Sequence, residues 1–380
     1  MQDDRKKHTP ARWWIGGASA ACGLLTFAFL LRSSPFVSSI VRATRIREIV
    51  ASAAPAKGLP FDEGAVRKYF MLDERAQLLY DPLAYVLLKP DISAEYTWEE
   101  HPKGVVLRRT NNMGFNEDGP TEIAKRGVRV LVSGDSHTEG VVFNDESFTN
   151  VAERKLRGIL GRKDVEFLNS GVGYTSPTCY LGVLRKYLML EPDTFVAVLF
   201  TGNDFLDEIC LGQRMSTVPE HPVPDSYFAK CAEVAARWEG AFPQGLNQAF
   251  RFKMFPEEPD LALASVLRIY AEMKALCDQH GIAFLAVALP TKMDVDEDDQ
   301  ESWEAACAAL GIERSDVELN ARIARRFLEG ARAAGIRCLD PTEAMRMSRE
   351  VLYWKKDYHL SVVGHALLGE LIAREIAQML

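Results

Sequence analysis

The chain has 380 residues, 47 % hydrophobic and 26 % charged, with a formal net charge of −8. Those proportions belong to a globular chain and exclude a disordered tail, a collagen-like fibre and a multi-pass membrane protein. The charge is uneven: residues 1–60 hold nine Lys/Arg against three Asp/Glu, so the rest carries 36 basic and 50 acidic side chains. A body that acidic excludes a binder of nucleic-acid backbones.

Trp13 to Leu31 is an uncharged run of 19 residues between Arg12 and Arg32. At about 1.5 Å per residue it nearly matches a ~30 Å hydrocarbon core. Two tryptophans stand at one end, where amphipathic rings favour the membrane interface. The run predicts one membrane anchor over residues 13–31, after a short cytoplasmic tail over 1–12. A cleaved signal peptide and a buried core helix are the rival readings. The run is long for the first, and no small-residue cleavage site follows closely. The flanking arginines argue against the second. Basic residues balance across the span, with Arg5, Lys6, Lys7 and Arg12 before it and Arg32, Arg42, Arg45 and Arg47 after it. The later ones lie farther away, so the expected orientation leaves the body outside the cytoplasm.

Residues 32–60, rich in Ser, Ala, Arg and Pro, read as a stalk, and residues 61–380 as one globular domain. Within it, apolar runs at Val128–Ser133, Val165–Asn169, Thr194–Phe200, Ile282–Leu289 and Ile336–Leu339 have the near-continuous hydrophobicity of strands buried on both faces. Helical patterns alternate with them, at about 146–160, 176–190, 259–280, 317–334 and 362–379. Alternation of this kind predicts an α/β fold: a parallel sheet between helices, a three-layer α/β/α sandwich of flavodoxin-like type. Residues 205–257 break the rhythm with prolines and aromatics and read as an insertion, a partly helical lid beside the active-site edge. Six cysteines follow the span without metal-ligand spacing. Cys210 and Cys231 bracket one loop-like stretch and are candidates for a disulfide.

Ligands of open α/β sheets bind beyond the carboxyl ends of the strands. The first strand is followed by Gly134-Asp135-Ser136-His137-Thr138-Glu139-Gly140, the second ends in Asn169-Ser170-Gly171-Val172-Gly173, and the third is followed by Thr201-Gly202-Asn203-Asp204. Asp357-Tyr358-His359 precedes the last helix. Together these loops supply an acyl-transfer set. Ser136 fits the nucleophile, His359 the base that takes its proton, and Asp357 the carboxylate that orients the imidazole. The Ser136 and Gly171 N–H groups and the Asn203 side chain fit an oxyanion hole. His365 reads as a structural histidine, and His137 as a pocket-lining neighbour. Glu139 reads as a first-turn helix charge. Lys292 reads as a tie between loops. No P-loop, Rossmann fingerprint or metal-ligand pair is present, and the chemistry requires no cofactor.

At these residues the chain resembles the SGNH/GDSL hydrolase superfamily. GDSHTEG is similar to its first block, Gly171 matches the second, Asn203 in GND the third, and DYH the last. The superfamily's usual D-x-x-H is here D-x-H, a form similar to that of its alginate-acetylation members. With Asn112-Met-Gly-Phe115, Leu289-Pro-Thr-Lys292 and Gly364-His365, the resemblance spans about residues 105–379. It implies a membrane-anchored serine esterase or O-acyltransferase acting on acyl, chiefly acetyl, esters of an extracytoplasmic carbohydrate. A membrane acyltransferase is then a candidate partner. A lysophospholipase or thioesterase acting on lipid is the alternative. So is a module that binds polysaccharide or a partner without catalysis.

Overall fold

A short helix and two hairpins lead into the main sheet. The computed structural model describes residues 61–218, 220–237, 244–296 and 300–380. The expected anchor at 13–31 and stalk at 32–60 lie outside them. Among the described residues no helix is long and apolar enough to cross a membrane. Helix α1 (Glu63–Phe70) starts where the Asp62 carboxylate accepts the Ala65 N–H at 2.8 Å. Strands β1 (Leu78–Asp81) and β2 (Tyr85–Leu88) pair antiparallel, as do β3 (Ser93–Thr97) and β4 (Val105–Arg109). These hairpins are additions to the layout expected from sequence.

The main sheet begins with β5 (Val128–Gly134), which runs into the one-turn helix α2 (Ser136–Glu139). Then come α3 (Phe148–Leu160), β6 (Val165–Asn169), α4 (Pro177–Tyr187) and β7 (Thr194–Phe200). Three helices occupy the predicted insertion: α5 (Asp204–Arg214), α6 (Asp225–Arg237) and α7 (Leu246–Met254). The chain continues through α8 (Glu258–His280), β8 (Ala283–Leu289), α9 (Lys292–Val295), α10 (Gln300–Leu310), α11 (Arg314–Ala333), β9 (Arg337–Leu339), α12 (Thr342–Met347) and α13 (Val362–Ala377).

The five strands β5 to β9 are all parallel, in the order β6-β5-β7-β8-β9. That is the flavodoxin-like order, in which the first strand lies at the switch point beside the third. Strand β7 shows why the sheet is sandwiched: all seven of its residues are buried. Val196, Val198 and Phe200 join Phe148, Ala152 and Leu156 of α3 and Leu368, Ile372 and Ile376 of α13 in one core. On the opposite face Phe195 stacks on Phe284, which meets Tyr270 of α8, and Tyr270 meets Phe327 of α11. Side chains alternate between faces along a strand, so both faces need helices.

The structure revises two expectations. The insertion is partly helical and reaches the active-site edge through Gln244 beside His359, but among the described residues none of it lines the cleft. Its helix α6 packs against α10 around Val234, Leu246, Trp303 and Leu310. Cys210 and Cys231 are free thiols, as are the other described cysteines. Burial pushes the Cys210 thiol up to about 12, so it stays protonated.

Candidate active site

The position of Ser136, the expected nucleophile, follows from how β5 ends. Gly134 has no room for a side chain: a Cβ there would lie 2.1 Å from Thr138 Oγ1 and 3.0 Å from the Val198 carbonyl. The strand can therefore turn at once into α2. The Asp135 carboxylate caps that helix by accepting the His137 N–H at 2.9 Å. Ser136 is the first helical residue, where backbone N–H groups have no intrahelical acceptor.

His359 reaches Ser136 from a loop near the other end of the chain. Its Nε2 lies 2.8 Å from Ser136 Oγ, and its Nδ1 lies 2.5 Å from Asp357 Oδ2. In the neutral imidazole, Nδ1–H donates to the carboxylate and Nε2 accepts the serine hydroxyl. The loop that carries both residues is a tight reversal. Tyr353 bridges Leu360, and the Trp354 N–H donates to the His359 carbonyl at 2.7 Å. Tyr358 sits in the left-handed region at φ 67°. That conformation costs a non-glycine residue about 1–2 kcal/mol. The Tyr358 ring is buried, only 2 % exposed, which offsets that cost. With one left-handed residue between them, Asp357 and His359 face each other at the compact D-x-H spacing.

Electrostatics favour a strong base. Burial pulls the His359 pKa down, but the charge and hydrogen bond of Asp357 outweigh it, and the net shift is upward. Behind the serine, burial raises Asp135 to about 6 against the opposing His137 N–H, His359 charge and Asn203 side-chain bond. His137 is fully buried, and desolvation holds its pKa well down, so it stays neutral. Its ring lies 4.6 Å from that of His359, and its Nε2 meets Gln244 Oε1 at 2.7 Å. The Gln244 amide nitrogen is 3.2 Å from His359 Nδ1 and 3.3 Å from Nε2, so it stands across the ring. Gln244 is the insertion's contribution to the site, and sequence reasoning did not find it.

The oxyanion donors expected from sequence do not all meet. Asn203 bonds to Asp135 beneath the serine, and its side-chain oxygen is buried without a partner. Gly171 is displaced from the role expected of it. Its N–H donates to Asn169 Oδ1 at 3.0 Å, and its Cα packs on α2, where a Cβ would lie 2.3 Å from the Glu139 nitrogen. Gly173 instead lines the cleft; a Cβ there would lie 3.5 Å from Ser136 Cβ. Its N–H donates to Glu139 Oε2 at 2.6 Å, and Glu139 pairs with Arg108 at 2.5 Å. Glu139 is thus part of the cleft wall as well as a helix charge. His365 is structural: its Nδ1 accepts the Phe148 N–H at 3.1 Å. Lys292 is buried and pairs with Asp296 at 3.2 Å.

The cleft over Ser136 encloses about 570 Å³, and its lining comes from residues 75–174 together with Asp357 and His359. Gln77, Tyr96, Trp98 and Arg108 form the wall contributed by the N-terminal hairpins. Arg75 lies over the exposed Tyr174 ring at 4.3 Å. Among the described residues no group of three or more His, Cys, Asp or Glu is placed to hold a metal ion.

No family model matches the chain, and no curated protein matches it. Solved structures do. A lipase/acylhydrolase from Enterococcus faecalis is 17 % identical, with a TM-score of 0.37 over 66 % of this chain and 96 % of its own. An acetylxylan esterase from Geobacillus stearothermophilus is 13 % identical, with a TM-score of 0.38 over 67 % of this chain and 96 % of its own. A GDSL-like lipase from Bacteroides thetaiotaomicron is 15 % identical, with a TM-score of 0.34 over 68 % of this chain and 93 % of its own.

Proposed function

We propose that the chain is a serine ester hydrolase or O-acyltransferase whose substrate is an acylated carbohydrate. The observation that carries this reading is the unbroken relay from Ser136 Oγ through His359 to Asp357, at 2.8 and 2.5 Å, opening into a cleft. In the first half-reaction the Ser136 oxygen attacks the ester carbonyl while His359 Nε2 takes its proton. Asp357 stabilises the imidazolium that forms. The Ser136 N–H at the start of α2 faces the oxyanion, and the neighbouring Gly173 N–H joins it by turning from Glu139. The imidazolium then protonates the leaving sugar oxygen, and the acyl group stays on Ser136. In the second half-reaction water or a sugar hydroxyl gives its proton to His359 and attacks the acyl-serine. Hydrolysis and transfer therefore share every residue.

The character of the cleft supports a carbohydrate over a lipid chain. Tyr96 and Trp98 supply flat apolar faces, and Gln77, Asn116 and Arg108 supply hydrogen-bonding groups. That combination of apolar faces and oriented polar groups suits a sugar ring. With the apolar run at 13–31 as a membrane anchor, the domain acts outside the cytoplasm on a cell-surface polysaccharide.

The test compares the parent with Ser136→Ala on an acetylated oligosaccharide, with an unacetylated oligosaccharide added in a second arm. Loss of acetate release by at least about 10³-fold in the variant supports the serine mechanism. Acetyl appearing on the acceptor marks a transferase. Equal turnover by both proteins rejects the reading.

A further inference from the structure

Three consecutive backbone N–H groups of the D-x-H loop converge on one side chain from a distant part of the sequence. Glu100 Oε1 accepts the Lys355 N–H at 2.6 Å and the Lys356 N–H at 3.0 Å. Its Oε2 accepts the Lys356 N–H at 3.0 Å and the Asp357 N–H at 3.1 Å. Successive N–H groups aimed at one point form a concavity that suits an anion. Here the protein fills it with its own carboxylate. Bonds of this kind are charge-assisted and stronger than those between neutral groups.

The carboxylate is carried on a braced turn between β3 and β4. Trp98 N–H donates to the Gly104 carbonyl at 2.9 Å, and Gly104 N–H donates to the His101 carbonyl at 2.7 Å. His101 is buried, meets Glu146 Oε2 at 2.9 Å, and lies edge-on to Trp354 with ring centroids 6.1 Å apart. The turn thus touches the D-x-H loop twice, through Glu100 and through His101. The clamp ends on Asp357 itself. Glu100 holds that residue's N–H while its carboxylate holds His359.

We propose that Glu100 is a positioning residue for acyl transfer: its carboxylate fixes the backbone of residues 355–357 and so keeps Asp357 against His359. This rests on the catalytic reading of Ser136, His359 and Asp357 given above. Glu100 does not line the cleft and acts on the reacting atoms only through Asp357. Loosening Asp357 weakens its hold on the imidazole, which lowers kcat. It also removes part of what keeps the His359 pKa up. A clamp that merely stabilised the fold would change neither the rate per intact site nor its pH dependence.

The experiment uses the full chain as parent, Glu100→Ala, Glu100→Gln and Ser136→Ala, with active sites counted by a serine-directed phosphonate. In Glu100→Ala, kcat per titrated site falls about 10- to 100-fold while KM stays within about threefold. The acid limb of kcat/KM moves to lower pH by about half a unit or more. Glu100→Gln keeps one carbonyl acceptor and recovers part of both. A Glu100→Ala variant with parental kcat per site and an unmoved acid limb overturns the proposal. Should that variant fail to fold, Glu100→Gln decides by the same two readouts. Ser136→Ala separates the causes of failure: if it keeps parental turnover, the catalytic reading falls and the role of Glu100 falls with it.

Discussion

The two halves of the proposed catalytic relay are delivered by different kinds of structure. Ser136 stands at the end of β5, which pairs with β6 on one side and β7 on the other. Its position is set by a backbone ladder, a glycine that only close packing allows, and a helix cap. His359 and Asp357 stand beyond β9, an edge strand of three residues, on a loop joined across itself by the Tyr353–Leu360 bridge. Its own backbone bonds and the Glu100 carboxylate set its shape. The nucleophile arm is therefore part of the core, and changing it threatens the fold. The base arm is a loop whose ends, Leu352, Tyr353 and Leu360, join that same core, while Asp357 and His359 stand at the cleft, so changing those two threatens catalysis while the core stands.

The sharpest way to break that contrast is Asp357→Asn. The amide cannot hold the imidazole in the tautomer that accepts from Ser136, so kcat/KM falls by about 10³- to 10⁴-fold. The melting temperature stays within about 2 °C of the parent, because the loop lies outside the sheet. A collapse in stability of several kcal/mol would show that Asp357 itself belongs to the core after all.

A pair of glycine variants tests the nucleophile arm. In Gly171→Ala the new Cβ meets backbone, 2.3 Å from the Glu139 nitrogen and 2.5 Å from the Thr138 carbonyl carbon. Stability drops by about 2 kcal/mol or more, and activity is lost only as folded protein is lost. In Gly173→Ala the nearest atoms are side chains, Glu139 Oε2 at 3.1 Å and Ser136 Cβ at 3.5 Å. Here kcat falls about tenfold with little change in melting temperature. Denaturant melts beside kcat for both variants measure the contrast; equal effects on stability would erase the distinction between the two glycines.

The pH profile follows from the base arm. His359 must be neutral to accept the Ser136 proton, and Asp357 raises its pKa. Activity is therefore suppressed at low pH and rises through an apparent pKa above the ordinary imidazole value of 6.5. In Asp357→Asn the residual activity rises at lower pH, because burial then acts without the opposing carboxylate. A log kcat/KM profile of both proteins checks the sign.

What the sequence disclosed follows the same division. The sheet was legible because its strands are apolar runs, and Ser136, Asp357 and His359 because each lies in a short distinctive loop. The hairpins were not. Strand β3, SAEYT, is largely exposed and has no apolar face to betray it. Glu100 and Gln244 carry no local signature, since each bonds to residues more than a hundred positions away. Gly171 and Gly173 are two residues apart on one loop. Which of them lines the cleft is decided by the Asn169 side chain, which takes the Gly171 N–H, and by the packing on α2. The insertion was legible in the same partial way: prolines and aromatics marked 205–257 as an addition to the fold, but not that Gln244 would meet His359 while α6 packs on α10.

The hairpin wall gives the smallest expected effect. Arg108 of β4 pairs with Glu139, which in turn accepts the Gly173 N–H. Removing the guanidinium in Arg108→Ala leaves the Glu139 carboxylate, 9 % exposed, without its counter-charge. The carboxylate then draws harder on its remaining donor, and the Gly173 N–H becomes less available to substrate. Arg108 also donates to the Gln77 side-chain oxygen Oε1 at 3.0 Å, so the cleft wall loosens with it. The expected result is a three- to tenfold loss in kcat/KM, roughly 1 kcal/mol, with Ser136, His359 and Asp357 still aligned. The double variant Arg108→Ala/Glu139→Gln, which removes the uncompensated charge, should recover part of that loss. A double variant no better than Arg108→Ala would place the effect in the wall's shape instead of in the charge on Glu139.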